Sequence, residues 1–215
     1  MAQPQYPLWV GDSPMSFVTH NGVVYYTNGT VIGYIKNGQG YNFDTPTAKY
    51  KSAPPPGQII GYYNGALYIC QKNVLWVTDT LAMNQVDMRN GYKQFPADIT
   101  MFAPVDDGIF ISTTEKVYWL GGLNPDKMYW REIYDKPVIK GAWTYVDSRL
   151  FGKRKLDFMQ GKTIVMYTNG GLCWGTNNGI FGNISARKYR GPSGMPRGAA
   201  IFVRGSINKA IIAFP

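Results

Sequence analysis

Few side chains in this sequence are suited to covalent or metal chemistry. There is one histidine, His20, and two cysteines, Cys70 and Cys173. Zinc sites draw four ligands from Cys, His and carboxylates, so a single histidine rules out the usual Cys/His clusters. A Ser-His-Asp triad would have to use His20, and no G-x-S-x-G turn is present. Cys70 follows "ALYI" inside an apolar run. It reads as a buried thiol and not as a nucleophile paired with His20. Asp106 and Asp107 are adjacent, but neighbours in a strand point to opposite faces. Asp107-Gly108 is better explained as a hairpin turn. Glycosidase chemistry needs two carboxylates; Asp98 or Glu132 stays open for such a role, and no pattern points to either. There is no P-loop, EF-hand loop or G-x-G-x-x-G before a helix. The expectation is a protein that is not an enzyme, with no cofactor and no metal.

The basic residues carry more information. Residues 1–107 hold six Lys/Arg against seven Asp/Glu, and residues 108–215 hold sixteen against six. The whole excess therefore belongs to the second half. It gathers in "RLFGKRK", with Arg149, Lys153, Arg154 and Lys155, and in "ARKYRGPSGMPRG", with Arg187, Lys188, Arg190 and Arg197 around Tyr189. Such segments suit electrostatic docking on an acidic protein neighbour, which is the favoured reading. Weak contact with DNA phosphates and bases is another, and a solvated loop is the plainest.

The elements that would position these residues follow from turn chemistry. "FVTHNGVVYYTNGTVIGYI" sets Asn21-Gly22 and Asn28-Gly29 among β-branched and aromatic residues. The pattern returns in "IIGYYNGALYICQKNVLWVTD" around Asn64-Gly65 and in "MFAPVDDGIFISTTEKVYWLGG" around Asp107-Gly108. It returns again in "IVMYTNGGLCWGTNNGIFGNIS" around Asn169-Gly170, and in "AAIFVRGSINKAIIAFP" around Gly205. Two-residue hairpins need φ > 0 at their centres, which Asn, Asp and Gly tolerate. Positive φ is expected at Gly65 and Gly108, so a β-branched residue there should be strained.

The intervals between centres are 43, 43, 62 and 35 residues. Repeats of about 40–50 residues with about four strands are the period of propeller blades. The long interval reads as one unit plus a basic insertion at about 148–162. The expected fold is all-β: a propeller-like array of about five antiparallel meanders of ~43 residues, forming an incomplete or small propeller. It is expected to be a single domain over residues 1–215, with repeat centres near 22, 65, 108, 170 and 205. "PLWVGD" from Pro7 is a candidate strand for closing the last unit. No long window has helical period, and "TLAMNQVDMRNGY" from Thr80 reads as a loop.

Composition agrees. Charged residues are 16%, below the usual quarter, while aromatics reach 15% with 16 Tyr and 6 Trp, which favours strands and contact surfaces. No apolar run is long enough for a membrane helix, and no signal-peptide pattern opens the chain. The Asn-x-Ser/Thr patterns at Asn28 and Asn183 are expected to be accidental.

Longer phrases add a resemblance. "APPPGQIIGYYNGALYICQKNVLWVTD", "PVDDGIFI" within the third unit, and "YTNGGLCWGTNNGIFGNIS" with its GT-x-x-G turn resemble a group of tailed-bacteriophage virion proteins, over roughly residues 53–190. The resemblance has no catalytic motif. It implies a β-propeller-type structural subunit of a tail or head–tail region, made in the bacterial cytoplasm and located in the virion. The implied partners are other virion subunits (tail or head–tail connector proteins), with many copies in a ring or collar. The alternative is a receptor- or glycan-binding module of the tail, for which Trp130, Trp143 or Trp174 should be exposed beside Asn or Asp in a concavity.

Overall fold

The computed structural model describes residues 13–147, 161–186, 192–203 and 209–215. The fold is all-β and built from antiparallel meanders. In the first sheet β1 (Ser16–His20), β2 (Val23–Thr27), β3 (Ile32–Lys36) and β4 (Gln39–Tyr41) pair in chain order. The second sheet contains β5 (Lys51–Ser52), β6 (Ile59–Tyr63), β7 (Ala66–Gln71), β8 (Val74–Asp79), β9 (Ala82–Asp87) and β10 (Tyr92–Gln94). Its order is β5-β9-β8-β7-β6, with β10 also pairing β8. The third contains β11 (Ile99–Pro104), β12 (Gly108–Thr113), β13 (Val117–Gly121) and β14 (Tyr129–Tyr134) in order. The fourth contains β15 (Val138–Asp147), β16 (Lys162–Thr168), β17 (Gly171–Thr176) and β18 (Ile180–Asn183) in order. A two-stranded hairpin, β19 (Ala199–Val203) and β20 (Lys209–Ala213), follows. The helical content of the described residues is two 3-10 turns, Pro125–Lys127 and Asn177–Gly179.

The turn chemistry acts as expected at two of the centres. Asn21 and Gly22 both have positive φ (48° and 74°), as do Asn64 and Gly65 (42° and 87°). Each pair joins the first and second long strands of its meander. Asn37-Gly38 does the same between β3 and β4, with φ 53° and 75°. Gly108 differs: it is not among the positive-φ glycines. Its side-chain direction is closed instead by the Trp119 indole and the Leu120 carbonyl. Glycine is required there for close approach, not for a left-handed backbone.

Two further expectations are corrected. The segment from Thr80 is not a loop, because Ala82–Asp87 is the strand β9. The fifth unit is only a hairpin, so five equal meanders are not found. The fourth centre also shifts in meaning. Asn169-Gly170 joins β16 to β17, the second and third strands of its sheet. The first hairpin of that sheet lies between β15 and β16, and residue 151, one 43-residue step past Gly108, falls in that connection. The basic insertion is thus the link within a meander. Its residues 148–160, like "PLWVGD", lie outside the described ones.

The chain divides into two compact units, Met1–Phe102 with Asn124–Asp126, and Ala103–Leu123 with Lys127–Pro215. In the first, Ile60, Leu67 and Ile69 form a buried cluster that receives Val18, Tyr25, Ile32, Phe43, Tyr62, Trp76 and Met83. Thr27 joins the first two meanders: its hydroxyl oxygen accepts from Gly57 N at 3.0 Å and lies 2.8 Å from Gly57 O. In the second unit β12 and β13 are buried on both faces. That explains why "GIFIST" and "VYWLG" read as apolar runs without alternation. Phe110 and Trp119 pack there with ring centroids 4.8 Å apart. A fully buried side chain of this kind contributes about 1.5–3 kcal/mol.

Candidate functional site

The residues suited to chemistry have structural partners. His20 ends β1 and stacks on Tyr62, with centroids 3.8 Å apart and planes 18° from parallel. Cys70 and Cys173 are free, buried thiols. Burial raises both above the ordinary cysteine value, Cys173 to about 11. Neither is a thiolate near neutral pH, so neither is poised as a nucleophile. Among the described residues no group of three or more His, Cys, Asp or Glu is placed to hold a metal ion.

Asp106 and Asp107 form a latch. Asp106 Oδ2 accepts from Lys162 N at 2.9 Å and from Asn177 Nδ2 at 3.1 Å. Asp106 N donates back to Asn177 Oδ1 at 3.2 Å. Asp107 Oδ2 accepts from Asn178 N at 2.8 Å. Arg131 closes the group by donating to Asn178 O at 3.0 Å. The two phrases "PVDDGIFI" and "GTNNG" therefore meet in space. Gly175 makes room for the Phe110 ring, and Gly179, at φ 63°, makes room for the Trp119 indole. Both phrases are explained by packing of the third meander on the fourth.

Of the eight basic residues singled out, Arg149, Lys153, Arg154, Lys155, Arg187, Lys188 and Arg190 lie outside the described residues. Arg197 is exposed, two residues ahead of β19. The three tryptophans do not converge. Trp130 is exposed on β14 and packs edge-on against Tyr118. Trp143 faces the same side of the fourth sheet as Met166 and Cys173, while Trp174 shares the opposite side with Val165 and Gly182. The side chains of the two glycosylation-pattern asparagines are engaged. Asn28 Oδ1 accepts from Thr30 N and Val31 N, each at 3.0 Å. Asn183 Nδ2 donates to the Tyr134 hydroxyl at 3.0 Å and to Gly170 O at 2.9 Å.

Two clefts belong to the first unit. One, of about 620 Å³, is lined by Lys51, Asp79, Asp87, Tyr92, Lys93 and Asp126 among others. Four charges at this cleft are mutually satisfied: Lys51 Nζ lies 2.7 Å from Asp79 and 3.3 Å from Asp87, and Arg89 Nη2 lies 3.1 Å from Asp87. Hydrogen bonds from the Arg89 side chain and backbone, then from Lys51, hold Asp87 well below the usual carboxylate range. The other cleft, of about 430 Å³, is aromatic. Tyr25, Tyr34 and Phe43 line it, with His20, Lys36, Asp44 and Asn84. Burial, then the Tyr34 and Tyr62 hydroxyls, raises the Tyr25 pKa; burial, then the Asp44 carboxylate, raises that of Tyr34. Sequence reasoning missed this cleft. The signal that finds it is the hairpin register, which pairs Tyr25 with Tyr34 and Tyr34 with Tyr41.

Among the described residues, two apolar surfaces in the second unit are exposed. The outer strand β14 exposes Tyr129 and Trp130. On the terminal hairpin Ile201 pairs with Ile211, and these are 59% and 48% exposed, with Val203 beside them at 42%. The other face of the hairpin is anchored: Ile212 and Phe214 pack on Ile139, Ala142 and Tyr167.

No protein-family model matches the sequence, and no curated protein matches it. Among solved structures the chain is similar to KlHsv2 with loop 6CD replaced by a Gly-Ser linker, at 10% identity and a TM-score of 0.40. The match covers 79% of this chain and 65% of that one, less than two thirds of its length.

Proposed function

We propose that this chain is a structural subunit of a tailed-bacteriophage particle, in the tail or head–tail region, and that it works by protein–protein assembly. The observation that carries the reading is the terminal hairpin. Its outward face is apolar, and among the described residues β19 and β20 pair only with each other. An exposed apolar face of this kind is an association hazard for a free monomer, and a neighbouring subunit relieves it. The resemblance of residues 53–190 to virion proteins supports the same reading. The successive meanders act as blades of a small propeller-like array, which their chain-order topology and 43-residue interval support. The basic segments, with Arg197, set register against acidic surfaces of neighbouring subunits in a ring or collar. Antibody raised against the purified chain should label intact particles at the tail or neck, and the Ile201→Asp, Ile211→Asp double variant should fold but fail to enter particles. A chain present in infected-cell lysate and absent from purified particles refutes the reading.

A further inference from the structure

We infer that the aromatic cleft of the first meander is a binding site for an uncharged pyranose saccharide. This inference stands apart from the assembly reading and uses different residues.

The register builds the platform. Val18 pairs with Tyr25, Tyr25 with Tyr34 and Tyr34 with Tyr41, so these side chains form one row across four strands on a single face. Phe43 continues the row beyond β4. The rings touch in sequence: Tyr25 and Phe43 are 5° from parallel with centroids 6.3 Å apart, and Tyr34 lies 5.5 Å from Phe43 and 5.2 Å from Tyr41. Tyr25, Tyr34 and Phe43 are only half-buried, and all three reach the cleft. The C–H face of a pyranose presents a weakly positive, flat, apolar surface, which complements the negative face of such rings.

The rim supplies hydroxyl partners. His20, Asn21 and Lys36 come from the first meander, Asp44 from the segment after β4, and Asn84 from β9. Among the described residues the side chains of Asn21, Lys36, Asp44 and Asn84 make no hydrogen bond or ion pair, in contrast to the charges of the larger cleft. A carboxylate, two carboxamides and an ammonium offer both donors and acceptors. That mixture suits hydroxyl groups, which are both at once. Lys36 and Asp44 leave the rim with no net positive charge to attract a phosphate, which favours an uncharged ligand over a nucleotide. At the mouth Leu81, in the turn between β8 and β9, is 83% exposed and offers an apolar contact. The volume of about 430 Å³ lies in the range of small-ligand sites.

The test uses the full chain and a panel of glucose-, galactose- and N-acetylglucosamine-based tetrasaccharides, with AMP as the competing class. Saturation-transfer NMR and calorimetry should find at least one saccharide bound with a Kd below about 1 mM. Tyr34→Ala and Asp44→Ala should each weaken it by about tenfold or more, and Tyr34→Phe, which keeps the ring, by less than about threefold. Asp44 is exposed, so its variant separates lost binding from lost folding. Absence of saccharide binding at about 10 mM overturns the inference, as does saccharide binding that Asp44→Ala and Tyr34→Ala leave unchanged, or AMP binding tighter than every saccharide.

Discussion

Replacing Gly175 by alanine tests the packing of the third meander on the fourth with a single methyl group. Gly175 is buried on β17, and its φ is not positive, so alanine brings no backbone penalty of the left-handed kind. The three atoms nearest to the methyl would all be carbons of the Phe110 ring, at 2.6, 2.8 and 3.1 Å. Phe110 cannot swing aside freely, because it is fully buried with the Trp119 ring centroid 4.8 Å away. Overpacking of this kind costs about 1–3 kcal/mol. Phe110→Leu removes the offending ring carbons at a cost of about 1–2 kcal/mol of its own. In that background Gly175→Ala should be close to neutral, because the methyl fills vacated space and restricts the unfolded chain by about 0.4–1 kcal/mol. The coupling energy should therefore exceed about 1 kcal/mol and favour the double variant. Urea unfolding followed by far-ultraviolet circular dichroism gives all four stabilities, provided the m-values agree. An equal cost of Gly175→Ala in both backgrounds refutes the packing, and with it the explanation of the GT-x-x-G phrase.

Gly65→Val should destabilise the protein by about 1–3 kcal/mol, because residue 65 sits at φ 87°; unchanged melting would show that the turn tolerates a β-branched residue. Asp87 is held below its unfolded value by Arg89 and Lys51, so the stability it provides is fully present above about pH 4 and is lost as pH falls through the depressed folded value. Urea midpoints measured between pH 5 and 2 should fall, and Asp87→Asn should flatten that fall; identical pH profiles for the two proteins would remove the network from the account. Cys70 and Cys173 should resist a thiol reagent at pH 8 in the native protein and react together on unfolding, since burial raises both; rapid native labelling of either would contradict its burial.

The parts of the fold legible in the sequence are those where one residue type has one backbone consequence. Asn21-Gly22 and Asn64-Gly65 are read correctly because few other pairs sit easily at two positive φ values. Lys72 and Leu81 turn the chain with φ 52° and 63° and carry no such signature, so the β7–β8 and β8–β9 hairpins are invisible locally. For the same reason "AMNQVD" is missed as a strand. Its residues have weak β-propensity, and pairing with β8 and β5 imposes the conformation. Gly108 shows a different failure. A glycine in that turn signals a need, but two physical needs, positive φ and absence of a side chain, look identical in a sequence. Only the position of Trp119 separates them.

The same distinction governs the sites. Asp106 and Asp107 attract attention as paired carboxylates, yet their partners are backbone and carboxamide groups 56 and 71 residues along the chain. No local pattern reports where a side chain's hydrogen bonds end. The aromatic cleft is the reverse case. Tyr25, Tyr34 and Tyr41 are unremarked in a chain with 16 tyrosines, and they become a site only because two successive hairpins fix their register. A one-residue slip in β3 would send Tyr34 to the opposite face. Register is therefore the property that converts common residues into a platform, and it was computable: Asn21-Gly22 fixes β1 against β2, and Asn37-Gly38 fixes β3 against β4. The remaining link, β2 to β3, depends on the turn closed by Asn28 Oδ1. Replacing Asn28 by Leu removes the two turn hydrogen bonds that its Oδ1 accepts while leaving every cleft residue in place. It should loosen the β2–β3 register and weaken saccharide binding without touching the cleft wall. Hydrogen exchange along β3 is the readout that separates this from simple unfolding, because protection should fall in β3 while β12 and β13 keep theirs. Unchanged exchange in β3 would mean that strand pairing, and not the turn, holds the platform in place.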